Sequence, residues 1–249
     1  MWEWTQTLPG AAGRTVRWGF TAAVAAGAGS QGPYAGLNLG AHVGDDPAAV
    51  AANRALVARD LGLPVDRLLF MSQVHGADVV TVFGPHPVGD PPAADGMVCD
   101  RPGIALAVLV ADCVPVLLAD PAAGIVGVAH AGRPGLIAGV VPSTIAAMRA
   151  AGAQDIVAAV GPSICGRCYQ VPAAMRAAGA AVTPVTATVS WTGTPALDVA
   201  AGVIAQLVDG GVRVGHWVGG CTRESGHLYS YRRQQQTGRF AGVVLMGAP

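Results

Sequence analysis

The chain of 249 residues contains no lysine, and all 15 basic residues are arginine. That excludes a Schiff-base lysine, pyridoxal-phosphate attachment and the lysine of a Walker A loop. Charge is scarce too. The formal net charge is zero and no basic run exceeds Arg232-Arg233, so nucleic acid is not expected as a ligand. Long uninterrupted apolar runs are also missing: Asp112 and Asp120 break the most apolar stretch, which argues against a membrane span. The acidic, Trp-containing start MWEWTQT is unlike a signal peptide, and a cytoplasmic location is expected. Five cysteines, an odd number, point to thiols rather than a disulfide framework.

What the chain does have is a series of short, uncharged Val/Leu/Ile runs that break off into metal-binding residue types. Ile104–Val110 ends at Ala111-Asp112-Cys113, Gly124–Ala129 ends at His130-Ala131-Gly132, and Leu68–Val74 ends at His75-Gly76. Such runs read as buried strands whose ends can converge at one edge of a sheet. Cys113, His75 and His130 would meet there. One thiolate and two imidazoles suit zinc, with copper entering only by exchange, and three protein ligands leave a position open for water or substrate. Asp112 beside them is either a general acid or base or simply the cap of a turn.

The remaining pattern mixes strands and helices without strict alternation, which points to an α+β fold, or layered α/β with mixed β-sheets. One domain over residues 1–249 accommodates it. The opening segment is weakly patterned and Thr15–Phe20 reads as a strand. Gly27–Asn38 is a Gly/Ser/Pro loop. Asp46 as N-cap, Pro47 at the first helical position and Val50, Leu56, Val57 and Leu61 at helical spacing predict a helix ending at Gly62. A strand at Val79–Phe83, a Pro-rich loop at Gly84–Pro92 and the block ADGMVC follow. Gly135–Ala151 reads as a helix that Pro142 bends or delays. Further on, Asp155–Val160 and Thr183–Ser190 read as strands, Pro172–Ala181 and Leu197–Val208 as helices, and a polar turn feeds a terminal strand. Cys165-x-x-Cys168 lies in a Pro/Gly turn with no partner CxxC, so ordinary thiols are expected, with Cys99 and Cys221 as small buried residues. His86, His216 and His227 show no ligand pattern, and Arg232-Arg233 reads as a solvated pair.

The blocks NLGAHVGDDPAAVAANR, SQVHG, ADG, ADCVPVLLAD, VAHAG, GPSI, CYQV, SYRR and TGR, in this order from Asn38 to the C-terminus, resemble the YfiH family, also called the laccase-domain or polyphenol-oxidase-like family. The resemblance implies layered sheets and a zinc site on His75, Cys113 and His130. It carries Asn38 and Arg54 over as contacts to substrate or phosphate. Gln73 and Asp112 also match the pattern, Gln73 as an expected substrate-binding residue, while His42 is either a substrate contact or only a loop residue in the NLG turn. The family commonly has HAGWRG after the second histidine. Here the residues are His130-Ala131-Gly132-Arg133-Pro134-Gly135, so Arg133 must reach any anionic group from a different backbone position.

Three function classes follow from the resemblance. The first is purine nucleoside chemistry: phosphorolysis of nucleosides, methylthioadenosine included, and deamination of adenosine, with Cys113 and Asp112 in the catalytic set and purine nucleosides and phosphate as partners. Deamination would use the open zinc position to activate water, and phosphorolysis needs an anion subsite for which Arg is a natural clamp. The HxE and PCxxC signature of the cytidine deaminases is absent. The second is removal of a misincorporated amino acid from UDP-muramyl conjugates, an amidase reaction in peptidoglycan-precursor editing. The third, a copper polyphenol oxidase (laccase), needs a trinuclear cluster of many histidines, and this chain has six. A monomer or weak homodimer is expected.

Overall fold

The structure, a computed structural model, describes residues 1–85 and 91–247. The chain opens with the hairpin β1 (Trp2–Pro9) and β2 (Thr15–Thr21). Then come α1 (Pro47–Asp60), β3 (Leu68–Leu69), β4 (Val79–Val82), β5 (Gly96–Cys99), β6 (Ala105–Val110), β7 (Val114–Asp120) and β8 (Ile125–Ala131). The second half holds α2 (Arg133–Ala138), α3 (Val140–Ala150), β9 (Val157–Val160), α4 (Ala173–Val182), β10 (Ala187–Val189), β11 (Pro195–Leu197), α5 (Val199–Asp209), β12 (Arg213–Trp217) and β13 (Phe240–Met246).

Two mixed sheets result, ordered β1-β2-β13-β6-β3 and β12-β9-β7-β8-β5-β4, with β10 and β11 as a separate ribbon. Period-2 alternation decides how they stack. Leu106, Val108 and Val110 of β6 pack with Leu117 and Ala119 of β7 and Val126 and Val128 of β8 in a core between the sheets. The alternate residues of β6, Ala105, Ala107 and Leu109, pack with Val57, Ala58 and Leu61 of the α1 region. Val116 and Leu118 of β7 pack outward with Val140, Ile145 and Met148 of α3 and Val203 and Leu207 of α5. The layers are therefore α1, first sheet, second sheet, then α3 and α5, and the inner strands are apolar on both faces because both are covered. Truncating Leu117, fully buried between the sheets, to Ala is worth roughly 2–5 kcal/mol.

Helix α1 starts as its residues predict: the Asp46 side chain accepts from the Ala48 N–H at 3.0 Å and Pro47 follows. Its buried Asn53 ties down the Gly/Ser/Pro loop, donating to Ser30 Oγ and the Gly36 and Asn38 carbonyls and accepting from the Gly29 N–H. Several expectations need correction. The weakly patterned start is strand β1. The run Leu68–Val74 is a strand only at Leu68–Leu69, because the chain then leaves the first sheet for a bridge between Ser72 and Ala93. The single helix Gly135–Ala151 is two, broken at Gly139, whose φ of 89° belongs to the left-handed region glycine tolerates. Pro142 sits in the first turn of α3, where its missing N–H costs nothing. Thr183–Ser190 begins with a 3-10 turn, Pro184–Thr186, before the short β10. Leu197 ends β11, and α5 begins after Asp198, which caps Ala201 at 2.9 Å. Of the loop Gly84–Pro92, residues 86–90, with His86, lie outside the described residues.

Candidate metal centre

Of the three proposed ligands only His130 lies within a strand, β8 of the second sheet. His75 and Cys113 lie in the two connections, β3 to β4 and β6 to β7, that carry the chain from the first sheet to the second. The ligand atoms of His75, Cys113 and His130 lie within 4.8 Å of one another, an arrangement that can hold a metal ion. His75 Nε2 is 3.8 Å from Cys113 Sγ, and the two imidazoles meet edge to face with centroids 4.7 Å apart.

Local backbone makes this convergence possible. His75 and Asp112 have positive φ, 62° and 96°, a conformation non-glycine residues hold only when surrounding structure enforces it. At His75 the enforcing group is Asp95, which is fully buried. Its carboxylate accepts from the backbone N–H groups of Val74, His75 and Gly76 at 3.2, 3.0 and 2.6 Å, three successive amides curled around one anion. The same carboxylate accepts from His130 Nδ1 at 2.7 Å, which leaves Nε2 of His130 as the ligand atom. Asp95 thus sets both histidines, yet the ligand pattern alone did not single it out; the block ADG was its only signal. Gly132 closes the site, since a Cβ there would stand 2.8 Å from His75 Cδ2 and 3.0 Å from Cys113 Sγ.

Electrostatics favour a thiolate. Burial pushes the Cys113 thiol up, but the positive charge of His130 and hydrogen bonds from His130 and His75 overcome it and bring it to about 6. Burial likewise lowers His130, while the Cys113 charge and the Asp95 hydrogen bond raise it to about 9.

The set opens on a cavity of about 600 Å³, within the usual range for small-molecule sites. His42, Gln73, Asp112 and Arg133 line it with His75, Cys113 and His130, as do Tyr169, Tyr231, Arg232 and Arg239, which the residue patterns alone do not single out as site residues. Asn38 and Arg54 are not among the lining residues. Asn38 is fully buried and holds the Gly40 and Arg239 N–H groups on its Oδ1 while donating to Asp45. Arg54 stacks 3.9 Å over Phe70 and donates to the Leu39 carbonyl. Gln73 spends its amide on both backbone groups of Leu109, at 2.7 and 2.8 Å, continuing the β6 ladder beyond β3. Asp112 accepts from Thr222 Oγ1, Ser230 Oγ and the Arg232 N–H, each at 2.6 Å. His42 is lowered by burial and by the charges of Arg239, Arg54 and His130. The Arg133 side chain, at the start of α2, has no hydrogen-bond or ion-pair partner among the described residues.

The residues read as inert fare differently. His216 packs at a tilt against Trp4, ring centroids 4.9 Å apart, and His227 pairs with Glu3, and Cys99 is buried. The Arg232-Arg233 pair is exposed but not merely solvated: Arg233 donates to the carbonyls of Thr222, Arg223, Ser225 and Leu228. Cys221 is only partly buried, and with Glu224 it joins Cys165 and Cys168 in a second cluster. A search for paired CxxC motifs passes over that cluster because its fourth member is a carboxylate.

No described helix is long and apolar enough to cross a membrane. A protein of Streptomyces coelicolor named purine nucleoside phosphorylase is 53% identical over 234 residues, 93% of each chain. The crystal structure of YlmD from Geobacillus stearothermophilus superposes with a TM-score of 0.84 at 33% identity, covering 94% of this chain and 92% of that one. That of YfiH from Bacillus licheniformis does so with a TM-score of 0.80 at 28% identity, covering 92% of each. With residues 18–247 matching the family described as multi-copper polyphenol oxidoreductase laccase, and with the layered fold shared with YlmD and YfiH, this chain belongs to that family, the YfiH family.

Proposed function

We propose that the protein is a zinc-dependent purine nucleoside phosphorylase that also deaminates adenosine and phosphorolyses methylthioadenosine. One observation carries this reading: a single cavity combines a three-residue ligand set with the guanidiniums of Arg133, Arg232 and Arg239. The relatives named purine nucleoside phosphorylase support its phosphorylase part. One thiolate and two imidazoles, one of them backed by a carboxylate, fit zinc. When bound, zinc supplies a Lewis acid with an open coordination position.

The chain's own residues do the rest. Arg133, unpartnered within the described chain, is the natural clamp for phosphate, with Arg232 and Arg239 adding positive charge. Tyr169 and Tyr231, with Ile164 and Val199, add aromatic and apolar side chains to the cavity lining, surfaces suited to stacking a purine. In phosphorolysis a phosphate oxygen bonds the ribose anomeric carbon as the bond from that carbon to the purine nitrogen breaks. The purine leaves with the electron pair and needs a hydrogen-bond donor or proton. His42, kept neutral by burial and neighbouring arginines, offers one donor and one acceptor. In deamination a water oxygen bonds C6 of the adenine ring as the bond from C6 to the exocyclic amine breaks; the amine leaves as ammonia, and the two protons of the water end on the ammonia and on the purine ring. The copper-oxidase reading lacks residues: beyond the ligand pair, only His42 of the described histidines reaches the cavity.

Chromatography of purine products with and without phosphate tests this. Inosine, adenosine and methylthioadenosine should yield free base only with phosphate present, and adenosine should lose ammonia without it. No purine turnover, together with release of serine from a UDP-muramyl-serine conjugate, would replace this reading with peptidoglycan-precursor editing.

A further inference from the structure

Cys165-Gly166-Arg167-Cys168 and Cys221-Thr222-Arg223-Glu224 are turns of the same construction. In the first, the N–H groups of Cys168 and Tyr169 donate to the Cys165 carbonyl at 2.9 and 3.0 Å; in the second, those of Glu224 and Ser225 donate to the Cys221 carbonyl at 3.0 and 2.9 Å. A parallel bridge between Ser163 and Cys221 joins their bases, with the Thr222 N–H on the Ser163 carbonyl at 3.1 Å. The two turns therefore face each other with first residue opposite first and fourth opposite fourth. Cys165 N–H donates to Cys221 Sγ at 3.5 Å, and Cys168 Sγ lies 3.3 Å from Glu224 Oε1. All three sulfurs and a carboxylate oxygen fall within 4.8 Å of one another.

We propose that Cys165, Cys168, Cys221 and Glu224 form a second metal site, a closed structural zinc site. Two ligand pairs, each with a two-residue spacer on a hydrogen-bonded turn, supply the four donors of a tetrahedral zinc centre, and thiolate-rich sets select zinc over harder cations. A disulfide accounts for the cluster less well, because it uses two sulfurs and leaves the third beside a carboxylate. The site's consequence is mechanical. The first turn leads into Tyr169 and the second holds Thr222, whose hydroxyl donates to Asp112, so one ion joins two walls of the cavity. This assignment is independent of the reaction catalysed there.

Elemental analysis of protein purified in reductant without added metal tests it. The wild type should hold about two zinc per chain, and both C165S/C168S and H75A/H130A about one. One zinc in the wild type that survives C165S/C168S but not H75A/H130A would overturn the proposal. Should C165S/C168S fail to fold, E224Q keeps all three sulfurs and should release its second zinc to a chelator at least about tenfold more readily than the wild type; unchanged release overturns it. Cobalt loaded into H75A/H130A should show an intense thiolate-to-cobalt band, and its absence counts against the site. So does a mass indicating a native disulfide among Cys165, Cys168 and Cys221.

Discussion

Replacing Asp95 with Asn changes one oxygen to an amide nitrogen at the point where both histidines are set. The carboxylate has four donors, two on each oxygen: His75 N–H and His130 Nδ1 on Oδ1, Val74 N–H and Gly76 N–H on Oδ2. An asparagine can serve only one pair. If its oxygen takes the Oδ1 place, the amides of Val74 and Gly76 face another donor and the turn holding His75 at positive φ loosens. If it takes the Oδ2 place, the NH₂ group faces His130, which must then carry its proton on Nε2 and loses that atom as a ligand. Either way two hydrogen bonds to the buried carboxylate are disrupted, at about 1.5–3 kcal/mol each, so the metal-free protein should lose up to roughly 3–6 kcal/mol of stability. Zinc affinity should fall about 10–100-fold, the usual effect of removing the group that orients a ligating histidine. Denaturant unfolding of the metal-free variant and chelator competition measure the two effects separately. Zinc affinity within about twofold of the wild type would refute the claim that Asp95 sets the histidines.

Gly132→Ala should weaken metal binding by about tenfold or more while leaving the circular dichroism spectrum unchanged, because its Cβ would press on His75 and Cys113; chelator competition reads this. Cys113→Ala should abolish turnover and lower zinc content by elemental analysis, whereas full zinc with lost turnover would recast the thiol as a nucleophile. Asp112→Asn should raise KM and leave the pH profile of kcat unchanged, as expected of an anchor for Thr222, Ser230 and Arg232; loss of one ionisation from that profile would make Asp112 the acid or base. Asp120 is buried yet held below the usual carboxylate range, because N–H donors from Ala123, Gln154, Asp155 and Ala122 outweigh the upward push of burial. Its stabilisation is therefore present above the unfolded carboxylate pKa and lost as pH falls through the depressed folded value. Asp120→Ala should cost about 2–4 kcal/mol at neutral pH, and denaturation at pH 7 and below pH ~3 should show that cost shrinking in acid.

The elements legible in the residues were those with local causes. Helix α1 could be placed from Asp46, Pro47 and Gly62 because capping, a fixed φ and helical spacing act within a few residues of one another. Strand β1 gave no such signal: its burial alternates only between intermediate and exposed, so no clean apolar period marks it. The break at Gly139 was hidden because a glycine inside an apolar helical pattern reads equally as tolerated or as a cap.

The ligand set was legible for a different reason. Cys113 follows the end of the buried strand β6 and His130 is the next-to-last residue of β8, so apolar runs locate both. His75 follows a run that is a strand only at Leu68–Leu69, and what places it is the Asp95 carboxylate rather than a strand end. Where the three meet is a tertiary fact: two separate crossings from the first sheet to the second, one carrying His75 and one carrying Cys113, come together beside His130 of β8. Asp95 is the group that joins the two sides: its backbone carbonyl accepts from the His130 N–H of the second sheet at 2.8 Å, while its side chain gathers the amides around His75 that follow the first. A metal held by His75, Cys113 and His130 would therefore sit where the two crossings from the first sheet meet β8, at the end where the cavity opens, with Asp95 as the residue that contacts both histidines.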